Sequence, residues 1–320
     1  MSQALNLIGN SPKFQEIMRT LELVAVTDVP VLLSGETGTG KDTLAQAIHQ
    51  KSPRKQHALI TVNCAALPDE HAEAMLFGYQ KGAFNEATQS SIGYMGHARS
   101  GSVYFDEVAE LPLSIQAKLL RFIEQGEIQP VGYATPRQCN VRVIASSRID
   151  LAKEVEQGRF RADLYYRLNV IPLELPALKD RENDVMLLVD HFMQQLVKQH
   201  HKAPPTLSKA AQQQVRQYHW PGNIRELHNF CERMFLLFSG GEIEISNLPV
   251  ELRRRQPHQD SIVAAFQLPS NGINLESIEI ELMCQALQKT HGNKTRAARL
   301  LGLTRDTFLY RLKKYSIDGG

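Results

Sequence analysis

Val29-Pro-Val-Leu-Leu-Ser-Gly-Glu-Thr-Gly-Thr-Gly-Lys41-Asp-Thr-Leu-Ala-Gln-Ala-Ile-His49 sets three local signals in a row. Val29 to Leu33 is an apolar run running into a glycine-rich segment, the pattern of a parallel strand buried on both faces. Glycines follow at 35, 38 and 40, and then Leu44, Ala45, Ala47 and Ile48 recur at helical spacing. Strand, glycine loop and helix in that order make a cradle for phosphate. The glycines let backbone amides turn inward without a Cβ clash, and the helix N-terminus adds partial positive charge. Lys41 stands where an ammonium reaches the β- and γ-phosphates of a nucleoside triphosphate. A glycine-rich turn that binds nothing has no need of this flanking strand and helix. The strict pattern G-x-x-x-x-G-K-[ST] breaks at its last place, where Asp42 stands. A carboxylate is also a hard oxygen ligand for Mg²⁺, directly or through water. The expected nucleotide-contacting residues are Gly35, Glu36, Thr37, Gly38, Thr39, Gly40, Lys41, Asp42 and Thr43.

Working outward, 320 residues leave room for two or three domains and a large core. The 36 Lys and Arg nearly balance 34 Asp and Glu, so a net charge of +2 says little about partners globally. The balance breaks at one end. Between Lys289 and Ser316 eight basic residues face a single acid, Asp306, and there a polyanion would bind. Cys64, Cys139, Cys231 and Cys284 lie far apart with no C-x-x-C pair, which fits reduced thiols. No signal peptide opens the chain and no apolar run approaches a membrane span, so a cytoplasmic location with no membrane partner is expected.

Ahead of the phosphate loop, Gly9-Asn-Ser-Pro12 is a turn and N-cap signal. Phe14, Ile17, Met18, Leu21, Val24 and Ala25 then predict a helix packed on the nucleotide core. Behind the loop, Leu59 to Cys64 predicts a second strand. A third apolar run, Val103 to Phe105, ends in Asp106-Glu107. Paired acids at a strand end suit nucleotide hydrolysis: Asp106 would help hold Mg²⁺, and Glu107 would polarise the attacking water. Leu111 to Ile128 predicts an amphipathic helix, Val141 to Ser147 a fourth strand and Val170 to Leu175 a fifth. Pro172 and Pro176 put that fifth strand at a sheet edge or make it short. Strands alternating with helices imply an α/β fold whose parallel sheet is covered on both faces. From Arg181 to about Ser239 the pattern is purely helical, a lid after the sheet. The polar segment 253–274 reads as a linker.

Near the end, Ile278 to Thr290 has helical periodicity, broken by His291-Gly-Asn293. Beyond it Ala297, Ala298 and Leu301 allow close helix packing, and Gly302 makes a turn. Thr304 caps a second helix with Phe308 and Leu312 on its buried side. Arg305, Asp306, Leu309 and Tyr310 would then face outward, with Arg311, Lys313 and Lys314 able to meet phosphates. The pair resembles a helix-turn-helix, which implies that the second helix reads base edges through its N-terminal residues while the basic ones fix position. Thr304, Arg305, Asp306, Thr307, Tyr310, Arg311 and Lys314 are the expected DNA-contacting residues.

With these residues in place, the chain resembles the bacterial enhancer-binding proteins, NtrC-type AAA+ activators that act on RNA polymerase carrying sigma-54. Gly35-Glu-Thr-Gly-Thr-Gly-Lys-Asp42 looks like the family's Walker A loop and Asp106-Glu107 its Walker B. Asn63 in Asn-Cys-Ala-Ala is similar to the residue gating the catalytic Glu. Phe160-Arg161-Ala-Asp-Leu-Tyr-Tyr-Arg167-Leu carries both arginines that reach a neighbouring subunit's ATP in the family. Read without the resemblance, they are surface ion pairs with Asp163 and Glu156. Trp220-Pro-Gly-Asn-Ile-Arg225-Glu-Leu carries the lid arginine called sensor II, and residues 293–315 look like a Fis-type helix-turn-helix. The resemblance implies ATP and Mg²⁺ as cofactors. It also implies an AAA+ α/β subdomain over 1–178, a helical lid over 179–252, a linker over 253–274 and an all-α DNA-binding domain over 275–320. The implied partners are double-stranded DNA, RNA polymerase and further copies of the chain. Copies would pair as a dimer through the C-terminal domain, with the 276–287 helix as its element, and as a hexameric ring through AAA+.

Two departures shape the functional expectation. The family's sigma-54-contacting loop reads Gly-Ala-Phe-Thr-Gly-Ala, and here it is Gly82-Ala-Phe84-Asn85-Glu86-Ala87. A small hydroxyl and a bendable backbone are replaced, and a charge enters a tip meant to insert into a partner. Phe84, Asn85 and Glu86 are the expected polymerase-contacting residues. The family's sensor I strand usually ends in Asn near the γ-phosphate, and this chain has Ser146-Ser147-Arg148. The expectation is a DNA-binding transcriptional regulator that binds ATP, oligomerises and acts on RNA polymerase without sigma-54. Two alternatives stay open: an ATP-hydrolysing sigma-54-dependent activator, and a DNA-binding protein controlled by nucleotide or a small effector with little turnover. The family's N-terminal receiver or sensor domain has no counterpart in these residues, which fits either a partner-controlled short form or a piece of a longer chain.

Overall fold

The computed structural model of the chain describes residues 7–181, 183–253, 274–290 and 292–315. It divides into two compact units, Met1–Arg255 and Gln256–Gly320. In the first, five strands make one parallel sheet: β1 (Val31–Ser34), β2 (Leu59–Asn63), β3 (Ser102–Asp106), β6 (Arg142–Ser147) and β7 (Pro172–Glu174). Their order is β2-β3-β6-β1-β7, so the proline-bearing fifth strand does lie at an edge. Strand alternation sorts the core. Val103, Phe105, Val143 and Ala145 pack on one face with Leu119, Phe122 and Leu164, from α5 (Leu113–Gln125) and α7 (Ala162–Leu168). Tyr104 and Ile144 point to the other face and join Ile17, Leu21, Leu44 and Ile48, from α1 (Pro12–Ala25) and α2 (Lys41–Gln50). Both faces are therefore covered, as all-parallel sheets require.

Several expected boundaries shift for local reasons. The second strand stops at Asn63 because Cys64–Ala66 turn into a 3₁₀ segment, capped by the Asn63 side chain accepting from the Ala65 amide at 3.1 Å. The helix expected over Leu111 to Ile128 is Leu113–Gln125. Gly126, at φ +69°, ends it, and β4 (Glu127–Ile128) then pairs antiparallel with β5 (Arg137–Gln138). Ser11 is the N-cap of α1 with Pro12 behind it, but its side chain makes no capping bond. Asp184 takes that place from far along the chain, its carboxylate accepting from the Asn10 amide at 2.6 Å and the Ser11 amide at 3.2 Å.

The lid is built from α8 (Asp184–His200), α9 (Lys209–Gln217), α10 (Asn223–Phe238) and α11 (Val250–Arg253) around Trp220, Leu227, Phe230 and Phe235. It is not purely helical: β8 (Thr206–Leu207) pairs in parallel with β9 (Glu242–Ile243). At its root Asp184 forms an ion pair with Arg181 at 3.1 Å, both side chains 2 % exposed, and Arg181 also donates to the Ile8 carbonyl at 2.6 Å.

The second unit holds α12 (Leu275–Lys289), α13 (Lys294–Leu300) and α14 (Arg305–Lys314) around Met283, Leu287, Ala297, Ala298, Phe308 and Leu312. Gly302 turns between the last two at φ +66°, and Thr304 caps α14 by accepting from the Thr307 amide at 3.2 Å. Leu309 is half-buried against this core rather than outward-facing, because it lies beside Phe308 and Leu312 on the narrow apolar side of a short helix. The linker expected over 253–274 lies, apart from its end residues, outside the described residues. Among the described residues no helix is long and apolar enough to cross a membrane.

Removing one partner of a buried ion pair strands the other charge. Asp184→Ala is expected to destabilise the first unit by about 3–5 kcal/mol, read as a lower urea midpoint by circular dichroism.

Candidate functional site

The phosphate loop leaves β1 at Ser34, where the carboxyl ends of the parallel strands gather, the edge at which open α/β sheets place ligands. Gly38 and Gly40 take φ of +78° and +102°, a backbone region that disfavours side chains. At Gly38 a Cβ would also sit 2.3 Å from the Gly222 carbonyl oxygen. Thr39 Oγ1 donates to the Glu36 carbonyl at 2.8 Å and closes the loop. Lys41, first residue of α2, is 6 % exposed. Its Nζ donates to the Gly35 and Glu36 carbonyls at 2.9 and 3.3 Å. The ammonium is thus held inside the loop and 3.7 Å from the Glu107 carboxylate.

The acids sit on the neighbouring strand ends. Asp106 closes β3 and accepts from Ser146 Oγ at 2.6 Å. The Tyr104 hydroxyl lies 2.9 Å from Asp42 Oδ1 and 3.1 Å from Asp106 Oδ1. Burial pushes the Tyr104 phenol far above its ordinary pKa, so it stays a neutral donor. Glu107 follows in the left-handed region at φ +55°, a conformation costing about 1–2 kcal/mol. Its amide donates to Ser146 Oγ at 3.1 Å, while its carboxylate accepts from the Arg148 amide at 3.0 Å. The Arg148 guanidinium reaches Glu110 at 3.1 Å and Glu107 at 3.9 Å. Glu107 is therefore suspended between two cations. Asn63 is paired with Asp106 in register, one residue from Glu107, but its side-chain oxygen caps the Ala65 amide and makes no bond to Glu107.

The lid meets the loop through the turn before α10. Asn223 is fully buried at φ +52°. Its Nδ2 donates to Glu36 Oε2 and to the Thr37 carbonyl, each at 3.0 Å, and its Oδ1 accepts from the Leu178 amide at 2.7 Å. The Ile224 amide adds a bond to the Gly38 carbonyl at 2.9 Å. Arg225 is exposed and lies alongside Gly38. Arg161 and Arg167 are not brought to the loop of their own chain. Arg161 pairs with Asp163 at 2.7 Å, and Arg167 pairs with Glu124 at 3.1 Å instead of Glu156.

The Gly82–Ala87 loop closes on itself, the Gly82 amide donating to the Ala87 carbonyl at 2.8 Å. The Phe84 ring packs 4.9 Å from Tyr79, whereas Asn85 and Glu86 are exposed. On α14, Arg305, Asp306 and Tyr310 are exposed and Thr307 is half-buried, its amide held by Thr304. The Arg311 guanidinium is paired with Glu279 of α12. Tyr315 donates to the same carboxylate at 2.7 Å, and Lys314 lies 3.8 Å from Glu276.

Residues 7–174 match the Sigma-54 interaction domain, 179–265 the AAA+ ATPase lid domain and 274–315 the Fis family of bacterial regulatory proteins. The chain belongs to the sigma-54 interaction domain family of transcriptional regulators. It is similar to the transcriptional regulatory protein ZraR of Salmonella typhimurium, with 40% identity over 308 residues, 96% of this chain and 68% of that one. The phenol regulator MopR of Acinetobacter guillouiae shares 39% over 316 residues, covering 98% of this chain and 56% of its own length. A crystal structure of NtrX from Brucella abortus in complex with ATP has a TM-score of 0.73 and 31% identity, covering 98% of this chain and 70% of that one. A P-loop ATPase fold with helical lid, a nucleotide-binding site and a helix-turn-helix are thus family features of this chain.

Three residues outside the sequence expectations organise this family site: Tyr104, Ser146 and Asn223. Asn223 was the most legible, since Asn tolerates the left-handed region and follows a Pro-Gly turn. Asn223→Ala removes three hydrogen bonds, one buried and two partly buried, and leaves a side chain less suited to positive φ. It is expected to destabilise the lid by about 2–4 kcal/mol, read from the urea transition of Trp220 fluorescence, the chain's one tryptophan.

Proposed function

We propose that this chain is an ATP-hydrolysing transcriptional regulator, which binds DNA through α14 and acts on RNA polymerase through an oligomeric AAA+ ring. The observation that carries the reading is Glu107, held by the Arg148 amide and facing Lys41 at the strand edge where the phosphate loop opens. A carboxylate fixed there can take a proton from water beside a γ-phosphate. Lys41 would transfer its bonds from the Gly35 and Glu36 carbonyls to phosphate oxygens. Asp42 and Asp106 present two carboxylates side by side, a donor set that fits Mg²⁺, which takes one or two carboxylates with phosphate oxygens and water. When bound, Mg²⁺ would neutralise charge on the β- and γ-phosphate oxygens. Asn63, paired with Asp106 one residue before Glu107, would modulate the orientation of Glu107, and Arg225 would report nucleotide occupancy to the lid. Arg161 and Arg167 lie at the surface on side-chain pairs that a neighbouring subunit's phosphates could outcompete, so turnover would require assembly.

Thr304, Arg305, Asp306, Thr307 and Tyr310 form the proposed base-facing end of α14, with Lys313 and Lys314 towards phosphates. Exposed Glu86 at the tip of the Gly82–Ala87 loop supports a polymerase partner other than the sigma-54 form, since a carboxylate there resists burial. The family match over residues 7–174 favours the second reading, a sigma-54-dependent activator.

Glu107→Ala is expected to lower ATP turnover by at least about 100-fold, with affinity for a fluorescent ATP analogue changed less than about threefold. Lys41→Ala loses both. Wild-type turnover in the Glu107 variant overturns the hydrolytic role. ATP-dependent open complexes with the sigma-54 holoenzyme, and none with other holoenzymes, decide for the second reading.

A further inference from the structure

Asp42 and Asp106 converge from different elements, one from the first turn of α2 and the other from the end of β3. Both Oδ1 atoms touch the same oxygen, the Tyr104 hydroxyl, so they are no further apart than those two hydrogen bonds laid end to end. A phenol carries one proton and can donate to only one carboxylate at a time. Among the described residues the other donor is Ser146 Oγ, on Asp106 alone, and no cation pairs with either acid. Two carboxylates thus share neutral donors only, a charge excess that like-charge repulsion would otherwise spread apart.

The sheet explains how the hydroxyl gets there. Strand alternation puts Tyr104 on the α2 side, where its ring is 1 % exposed among Leu44, Ala45 and Ile48. Its hydroxyl meets Asp42 in the first turn of α2. A rigid, buried ring with a single polar tip cannot follow a moving carboxylate, so the carboxylates are held to it.

We infer that Tyr104 is a positioning residue for the divalent cation, its hydroxyl contacting the Oδ1 of both Asp42 and Asp106 and donating to one of them at a time. The inference rests on the proposed Mg²⁺-dependent nucleotide site. These contacts all fall on the Oδ1 atoms and leave both Oδ2 atoms for the metal or its waters. Groups that orient metal-holding side chains in this way contribute about 10–100-fold to metal affinity. Neither the loop pattern nor the paired acids of the sequence name Tyr104, because in sequence it is one more apolar residue of a buried strand.

The test titrates the full chain with a fluorescent ADP analogue, in EDTA and at stepped MgCl₂. The wild type is expected to bind more tightly as Mg²⁺ rises. Tyr104→Phe, the same ring without the hydroxyl, should keep its EDTA affinity within about twofold while the Mg²⁺ midpoint moves about 10-fold higher. Ser146→Ala, which removes a donor from Asp106 only, should move the midpoint in the same direction by less. Asp42→Asn should abolish the Mg²⁺-dependent gain. An unchanged or lower midpoint in Tyr104→Phe, with the wild type still responding to Mg²⁺, overturns the role of Tyr104 alone. A wild type whose affinity ignores Mg²⁺ overturns the metal reading of Asp42 and Asp106, and this inference with it.

Discussion

The Asn223 amide joins three parts of the molecule that the chain supplies separately. It donates to Glu36 and Thr37 of the phosphate loop and accepts from Leu178 at the entry to the lid. The Ile224 amide, bonded to the Gly38 carbonyl, continues the seam. Gly38 has no room for a Cβ there, since Gly222 comes so close. Loop and lid therefore share one set of hydrogen bonds.

The charged cluster beneath the loop is built on the same economy of elements. Glu107 accepts an unfavourable backbone angle, and its amide is compensated by Ser146, which also holds Asp106. Arg148 approaches from the end of β6 and divides its guanidinium between Glu107 and Glu110. One strand end, Ser146 to Arg148, thus fixes both acids of the adjacent strand. An Asn at position 148 would supply an amide but no charge, so the local field at Glu107 differs in kind from that of a neutral sensor.

Much of the architecture was legible in the sequence because its signals are local. The phosphate loop, the alternating strands, the edge position of Pro172 and the Thr304 cap all follow from spacing and backbone preference. The misread boundaries each trace to a competing local device: the Asn63 side chain ending a strand, Gly126 ending a helix and a two-residue β8–β9 pairing inside the lid. The contacts that define the site were not legible. Asp184 capping α1 from 173 residues away, Tyr104 reaching Asp42 and Arg167 choosing Glu124 are all made in tertiary space. Sequence shows that Arg311 is basic, but only packing shows that Glu279 claims it.

That last pairing changes how the electrostatics of α14 add up. A protein on DNA displaces condensed counterions in proportion to the phosphates it neutralises, and each such contact steepens the salt dependence of binding by about 0.9 in logarithmic slope. Arg311 is neutralised within its own unit by Glu279, and Lys314 lies near Glu276. In the free chain, two of the eight cations of the basic end thus have acidic neighbours on α12. The pair with Glu279 also ties α14 to α12 within the unit.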